Sequence, residues 1–178
     1  RPAPGQKHPC HSAARLRQNH PAARPGAPAE QRRPRLGLAG QQVGVVDERS
    51  ELAACQDGIP TADLGPRADV LDGCPKSQGM LMLIRAMGSR VIVTDELGRE
   101  GDAMAIREAR HAGVAVVASA HGRSVADIAG RPHIGALVAE GCFDRFVILG
   151  SPPVGAVQEI AAGDGAVLYR RRGVRVCG

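Results

Sequence analysis

Val91-Ile92-Val93-Thr94-Asp95-Glu96 is a run of β-branched residues that ends in two adjacent carboxylates, with Leu97-Gly98-Arg99-Glu100 behind them. Such a run is how a parallel strand buried on both faces reads when it stops at the edge of its sheet. In an open α/β sheet, ligands gather beyond the carboxyl ends of the strands. Two acids placed there suit a division of labour. Asp95 would hold Mg²⁺, and Glu96 would orient or deprotonate a water. The plainer reading is a strand that ends in a solvated acidic turn, so the flanking sequence has to decide.

Working outward, Val43-Gly44-Val45-Val46 is a second apolar strand that ends in charge, at Asp47-Glu48-Arg49-Ser50-Glu51. Val114-Ala115-Val116-Val117-Ala118 reads as a third, buried strand and leads into Ser119-Ala120-His121-Gly122. A histidine at that strand end could hydrogen-bond a phosphate, or serve the structure alone. Between the strands, residues 79–87 and 101–111 read as helices. The first has its methionines in the core and Arg85 near its end; the second turns Met104, Ala105 and Ala109 inward and stops at Gly113. Residues 55–79 are rich in Gly, Pro and Asp and read as one long loop. Arg67 and Lys76 lie in it, each within reach of a phosphate or a neighbouring subunit if not simply solvated. Beyond Gly122, residues 124–129 and 134–140 read as helices and 146–149 as a strand, with 154–160 and 166–169 as a closing hairpin. The pattern predicts an α/β core with a mostly parallel sheet over 43–169, followed by a basic tail at 170–178.

The chain of 178 residues carries a net charge of +5, and the excess is local. Residues 1–42 hold eight Lys or Arg against the single acid Glu30, whereas the remainder holds 15 basic and 17 acidic residues. A basic pI is therefore poor evidence for nucleic-acid binding by the folded part. The absence of Trp, with one Tyr and two Phe, offers no platform for stacking bases. Cys10, Cys55, Cys74, Cys142 and Cys177 are scattered and lack CxxC spacing, which reads as reduced thiols and no zinc centre. No apolar run is long enough for a transmembrane helix, and no signal-peptide core is visible, so a cytoplasmic protein is expected.

Residues 1–42 lack apolar periodicity of either kind and read as a disordered basic arm. A more specific reading comes from codons. Ala14 to Gly26, back-translated with GC-rich codons and read one nucleotide later, gives P-G-C-G-K-T-T-L-L-R-D-L-A. That is the end of a phosphate-binding loop and the first turns of its helix, the partner that a Walker B strand at 91–96 requires. We therefore read residues 1–42 as a disordered or frameshifted segment in place of the P-loop, with the frame restored between Gly26 and Gly40.

VGVVDERSE, RADVLDGCPKSQGMLMLIRAM, VIVTDELGRE and VVASAHG, in that order, closely resemble the stage III sporulation protein AA family. The resemblance covers about residues 36–160. It implies a RecA-like P-loop NTPase core related to the hexameric ATPases of type II and type IV secretion. It also implies ATP and Mg²⁺ as cofactors and a homo-hexamer. That hexamer would work in the mother-cell cytoplasm, peripheral to the membrane through other subunits of a channel to the forespore, with no nucleic-acid partner. On the resemblance, Asp47, Glu48 and Arg49 look like the acidic box of secretion ATPases, and Asp95 and Glu96 like the Walker B pair. His121 looks like the histidine box. Glu96, Glu48 and His121 would be catalytic, and Asp95 and Asp47 metal ligands. Arg49, Arg67, Arg85 and Arg99 would contact nucleotide, some of them across a subunit interface. The GCGKTT loop of the family is not written in this chain, and the first strand of the sheet and the P-loop helix go with it. A catalytically inactive copy that serves at most as a structural subunit is the alternative, and a DNA-handling RecA-like protein a further one.

Overall fold

The computed structural model describes residues 40–150 and 153–171; the frameshift reading of residues 1–42 lies almost entirely outside them, as does most of the expected basic tail. Within them, β1 (Val43–Asp47), β2 (Ala68–Asp72), β3 (Val91–Thr94) and β4 (Ala115–Ala118) form one sheet in the order β2-β1-β3-β4, parallel throughout. The crossovers are α1 (Lys76–Ala86) between β2 and β3 and α2 (Glu100–His111) between β3 and β4. After α3 (Val125–Ala129) and α4 (Pro132–Ala139), the strands β5 (Arg145–Gly150), β6 (Ala156–Ala162) and β7 (Val167–Arg170) make a separate antiparallel sheet. The mixed α/β class and the parallel character of the main sheet agree with the sequence. The expected closing hairpin is present as β6 and β7, and with β5 it stands as a sheet of its own.

The core lies between the sheet and α1, α2 and α4. Val46, Ile92, Met80, Leu83, Ile106 and Leu137 are all nearly or wholly buried there. The contact of α1 with β1 depends on two glycines. A Cβ on Gly44 would sit 2.5 Å from Leu83 Cδ1, and one on Gly79 would sit 2.6 Å from Val46 Cγ1. This close approach brings the first turn of α1 down to the carboxyl end of the sheet, where Lys76 is its first residue.

Several elements depart from the sequence reading. The long loop contains β2, whose acids Asp69 and Asp72 had masked its strand character. It also yields the start of α1, which begins at Lys76 rather than Gly79. On α2, Met104 is 61% exposed, while Ala103, Ala105, Ile106 and Ala109 face the core. On α1, Met80 is fully buried, but Met82 and the C-cap residue Met87 are exposed. The strand β4, expected to be buried, is only half so, because nothing among the described residues pairs with its outer edge. Along that edge runs an open trough of about 1300 Å³ between β4 and β5, bordered by Val116, Phe143, Arg145 and Val147. Arg170, expected in the tail, is the last residue of β7 and pairs with Glu159 at 2.6 Å.

Candidate functional site

The register of the sheet assembles the site. Asp47 is level with Asp72, and Val46 with Thr94, which is level with Ala118. Asp95 and Ser119 therefore follow one step beyond β3 and β4, at the height of Asp47, and Glu48, Glu96 and His121 come just after. They emerge at one end of the sheet, as parallel strands require. There Glu48, Arg49, Lys76, Glu96, Arg99 and His121, with Arg131 from the N-terminus of α4, line a cleft of about 560 Å³.

Glu96 is the centre of this cleft. Its backbone has φ +21°, a conformation that non-glycine residues seldom adopt and that typically costs about 1–3 kcal/mol. Two neighbours hold the strained peptide. The Glu96 N–H donates to Ser119 Oγ at 2.9 Å, and Lys76 Nζ donates to the Glu96 carbonyl at 2.7 Å. The carboxylate is shared between Arg49 at 3.2 Å and His121 Nε2 at 3.4 Å. Arg49 and Glu96 are half-exposed, so their ion pair adds little stability and matters mainly as orientation.

Asp95 points the other way, into protein. It is 7% exposed, with Oδ1 at 3.2 Å from Lys76 Nζ. That contact is an ion pair without aligned hydrogen-bond geometry, and Oδ1 makes no hydrogen bond. Glu48 pairs with Arg99 at 3.4 Å and lies 3.9 Å from Lys76 Nζ. Asp102, in the first turn of α2, accepts from the N–H groups of Gly98 and Arg99 and so fixes the loop that carries Arg99.

Asp47, expected as a metal ligand, is engaged elsewhere. It is fully buried, and its two oxygens accept the backbone N–H groups of Glu51, Leu52 and Ala53 at 2.8–2.9 Å. Its carboxylate is spent on shaping the loop that presents Glu48 and Arg49. Arg67 is exposed and donates to the Gly40 carbonyl at 2.8 Å, and Arg85 is exposed on the last turn of α1; neither lines the cleft. Lys76, read as a loop residue that is solvated unless it reaches a phosphate or a neighbouring subunit, is the residue that the sequence reading most underrated. One signal for it was available: of 23 cationic side chains, only Lys7 and Lys76 are lysines. Ser119, Asp102 and Arg131 carried no comparable mark.

The family described as sporulation stage III, protein AA matches residues 33–176. Stage III sporulation protein AA of Bacillus subtilis (strain 168) is 47% identical over 137 residues, which cover 76% of this chain and 45% of that relative. The chain thus spans less than half the length of the curated relative that it matches. No solved structure matches.

Proposed function

This chain belongs to the sporulation stage III protein AA family, and from that premise we propose that its cleft is the hydrolytic side of an ATPase site on a RecA-like core. The observation that carries this reading is the convergence of Glu48, Glu96 and His121, from the ends of three parallel strands, on one cleft with Arg49, Arg99 and Arg131 at its rim and the buried Asp95 behind Lys76. Carboxylates to orient water beside cations that meet phosphate oxygens are what phosphoryl transfer asks of a protein.

The donor set suits Mg²⁺ that arrives with a nucleotide. Mg²⁺ takes one or two carboxylates and fills its remaining positions with phosphate oxygens and water. Asp95, with Glu48 beside it, would hold such an ion, and the ion would neutralise charge on the β- and γ-phosphate oxygens. Among the described residues, no group of three or more His, Cys, Asp or Glu is arranged to hold a metal ion. Glu96, oriented by Arg49 and His121, would accept the proton of the attacking water. When a phosphate takes up the Arg49 guanidinium, the Glu96 carboxylate is released toward that water. His121 would then meet the γ-phosphate, and Arg99 and Arg131 would close the rim.

The β- and γ-phosphates also need a cradle of backbone N–H groups and a lysine, which the frameshift reading places at residues 14–26. In this reading the protein works as a homo-hexamer in the mother cell and powers assembly or transport by a secretion-like channel. Arg67 and Arg85, which lie away from the cleft, would face neighbouring subunits. No helix among the described residues is long and apolar enough to cross a membrane. Attachment to the membrane would then come through partner subunits.

The test starts by resequencing the codons for residues 1–42. The protein carrying PGCGKTT in frame is then compared with its Glu96→Gln variant. Hydrolysis should fall by at least about 100-fold, as for loss of a general base, with binding of a fluorescent ATP analogue retained. Undiminished hydrolysis by the variant would sink the assignment of Glu96, and failure of the in-frame protein to bind ATP would sink the ATPase reading.

A further inference from the structure

Lys76 sits where two separate costs oppose a cation. It is 7% exposed, so its charge is largely stripped of water. It is also the first residue of α1, at the end of the helix where the macrodipole is already positive. The chain uses arginine for 21 of its 23 Lys and Arg residues, and Lys76 is the sole lysine among the described residues. A planar guanidinium fork matches one carboxylate side-on, whereas an ammonium is a compact point charge with three donors. The surroundings of Lys76 ask for the latter: Asp95 Oδ1 at 3.2 Å, the Glu96 carbonyl at 2.7 Å and Glu48 Oε2 at 3.9 Å. Asp95 Oδ1, buried and without a hydrogen bond, keeps acceptor capacity that the ammonium does not use.

We infer that Lys76 is an internal counter-cation, whose ammonium occupies the ground at Asp95 that a divalent ion would otherwise take, so that ion and ammonium compete for one carboxylate. The same side chain is a positioning residue for Glu96. With Ser119 on the N–H and Lys76 on the carbonyl, the peptide of Glu96 is clamped at both ends in its strained turn. A divalent ion that displaced the ammonium would loosen one end of that clamp. Metal arrival and the orientation of Glu96 are then one event. The inference rests on the reading of the cleft above only for the kind of ion involved.

Mn²⁺ alone, titrated into the full chain and followed by the electron paramagnetic resonance of the free ion, tests the competition. Lys76→Met should bind Mn²⁺ about tenfold tighter or more than the unaltered chain, because one positive charge has left the neighbourhood of the ion. Lys76→Arg should stay near the unaltered chain. Adding Asp95→Asn to Lys76→Met should erase the gain. A merely structural ion pair predicts no gain, so a folded Lys76→Met that binds Mn²⁺ no better than the parent overturns the proposal. A second measurement covers the case in which that variant does not fold. The acetylation rate of Lys76 in the unaltered chain, read by mass spectrometry of its peptide, should rise severalfold in millimolar Mn²⁺, and an unchanged rate would also overturn it. Neither experiment contains ATP, so failure to bind nucleotide would leave this result standing, and indifference to Mn²⁺ would leave the ATPase reading standing.

Discussion

The edge strand β2 carries Asp69 and Asp72, tied to Gln42 and Ser50, whereas β4 at the opposite edge is aliphatic from Ala115 to Ala118 and borders the open trough. Charges on an edge strand discourage further pairing. One side of the parallel sheet is therefore finished by its own sequence, and the other is left without any such device. Parallel sheets are ordinarily covered on their faces and continued by like strands. Among the described residues, that rule holds at β1 and β3 and lapses at β4.

Truncations on the two sides should separate these regimes most strongly. Ile92→Ala in β3 removes a fully buried side chain and should cost about 2–5 kcal/mol, and Val116→Ala in β4 less than about 1 kcal/mol. Urea denaturation measures both; equal losses would mean that β4 is as enclosed as β3. An effect between those two is expected where β1 meets its loop. Asp47→Ala leaves three backbone N–H groups without their carboxylate and should cost roughly 3 kcal/mol by the same assay. The smallest lies near the trough, where Arg107 grips Glu140 through two nitrogens at 2.7–2.8 Å. Hydrogen bonding by Arg107 holds the Glu140 carboxyl below its ordinary 4.5, against a weaker opposing desolvation. Because the folded value is depressed, the stabilisation is present above the ordinary glutamate value and is lost as pH falls through the folded one. Glu140→Gln should therefore lower the melting temperature slightly at neutral pH and not at all in acid. A difference that persisted in acid would assign the effect to packing.

What could be read from the sequence follows the same division. The ends of β1 and β3 were legible because each is a contiguous apolar run that stops abruptly at acids, and a parallel register then places Glu48, Asp95 and Glu96 together without further information. The strand β2 was hidden because the acids that finish its edge break the apolar pattern by which strands are recognised. The burial of β4 could not be read, since it depends on whether another element lies against the strand. Charge type was visible for Arg67 and Arg85, but direction was not: one guanidinium turns to the Gly40 carbonyl, and the other ends a helix on its exposed side. Lys76 escaped because a lysine in a loop and a lysine that opens a helix look alike until the helix start is known. For Asp47, the residue type suggested a metal ligand, yet its burial beneath three N–H donors made it a loop organiser.

The division into two sheets has a consequence for the order of events in folding. The antiparallel strands β5, β6 and β7 follow one another directly, so each can pair with its predecessor by closing a short loop. In the parallel sheet, Val43 must find Val91 across an intervening strand and helix. Contacts distant in sequence are made slowly, because the entropy of loop closure is lost before they repay it. The meander should thus be in place while the strand ends that carry Glu48, Asp95 and Glu96 are still apart. The cleft would be among the last parts of the molecule to form.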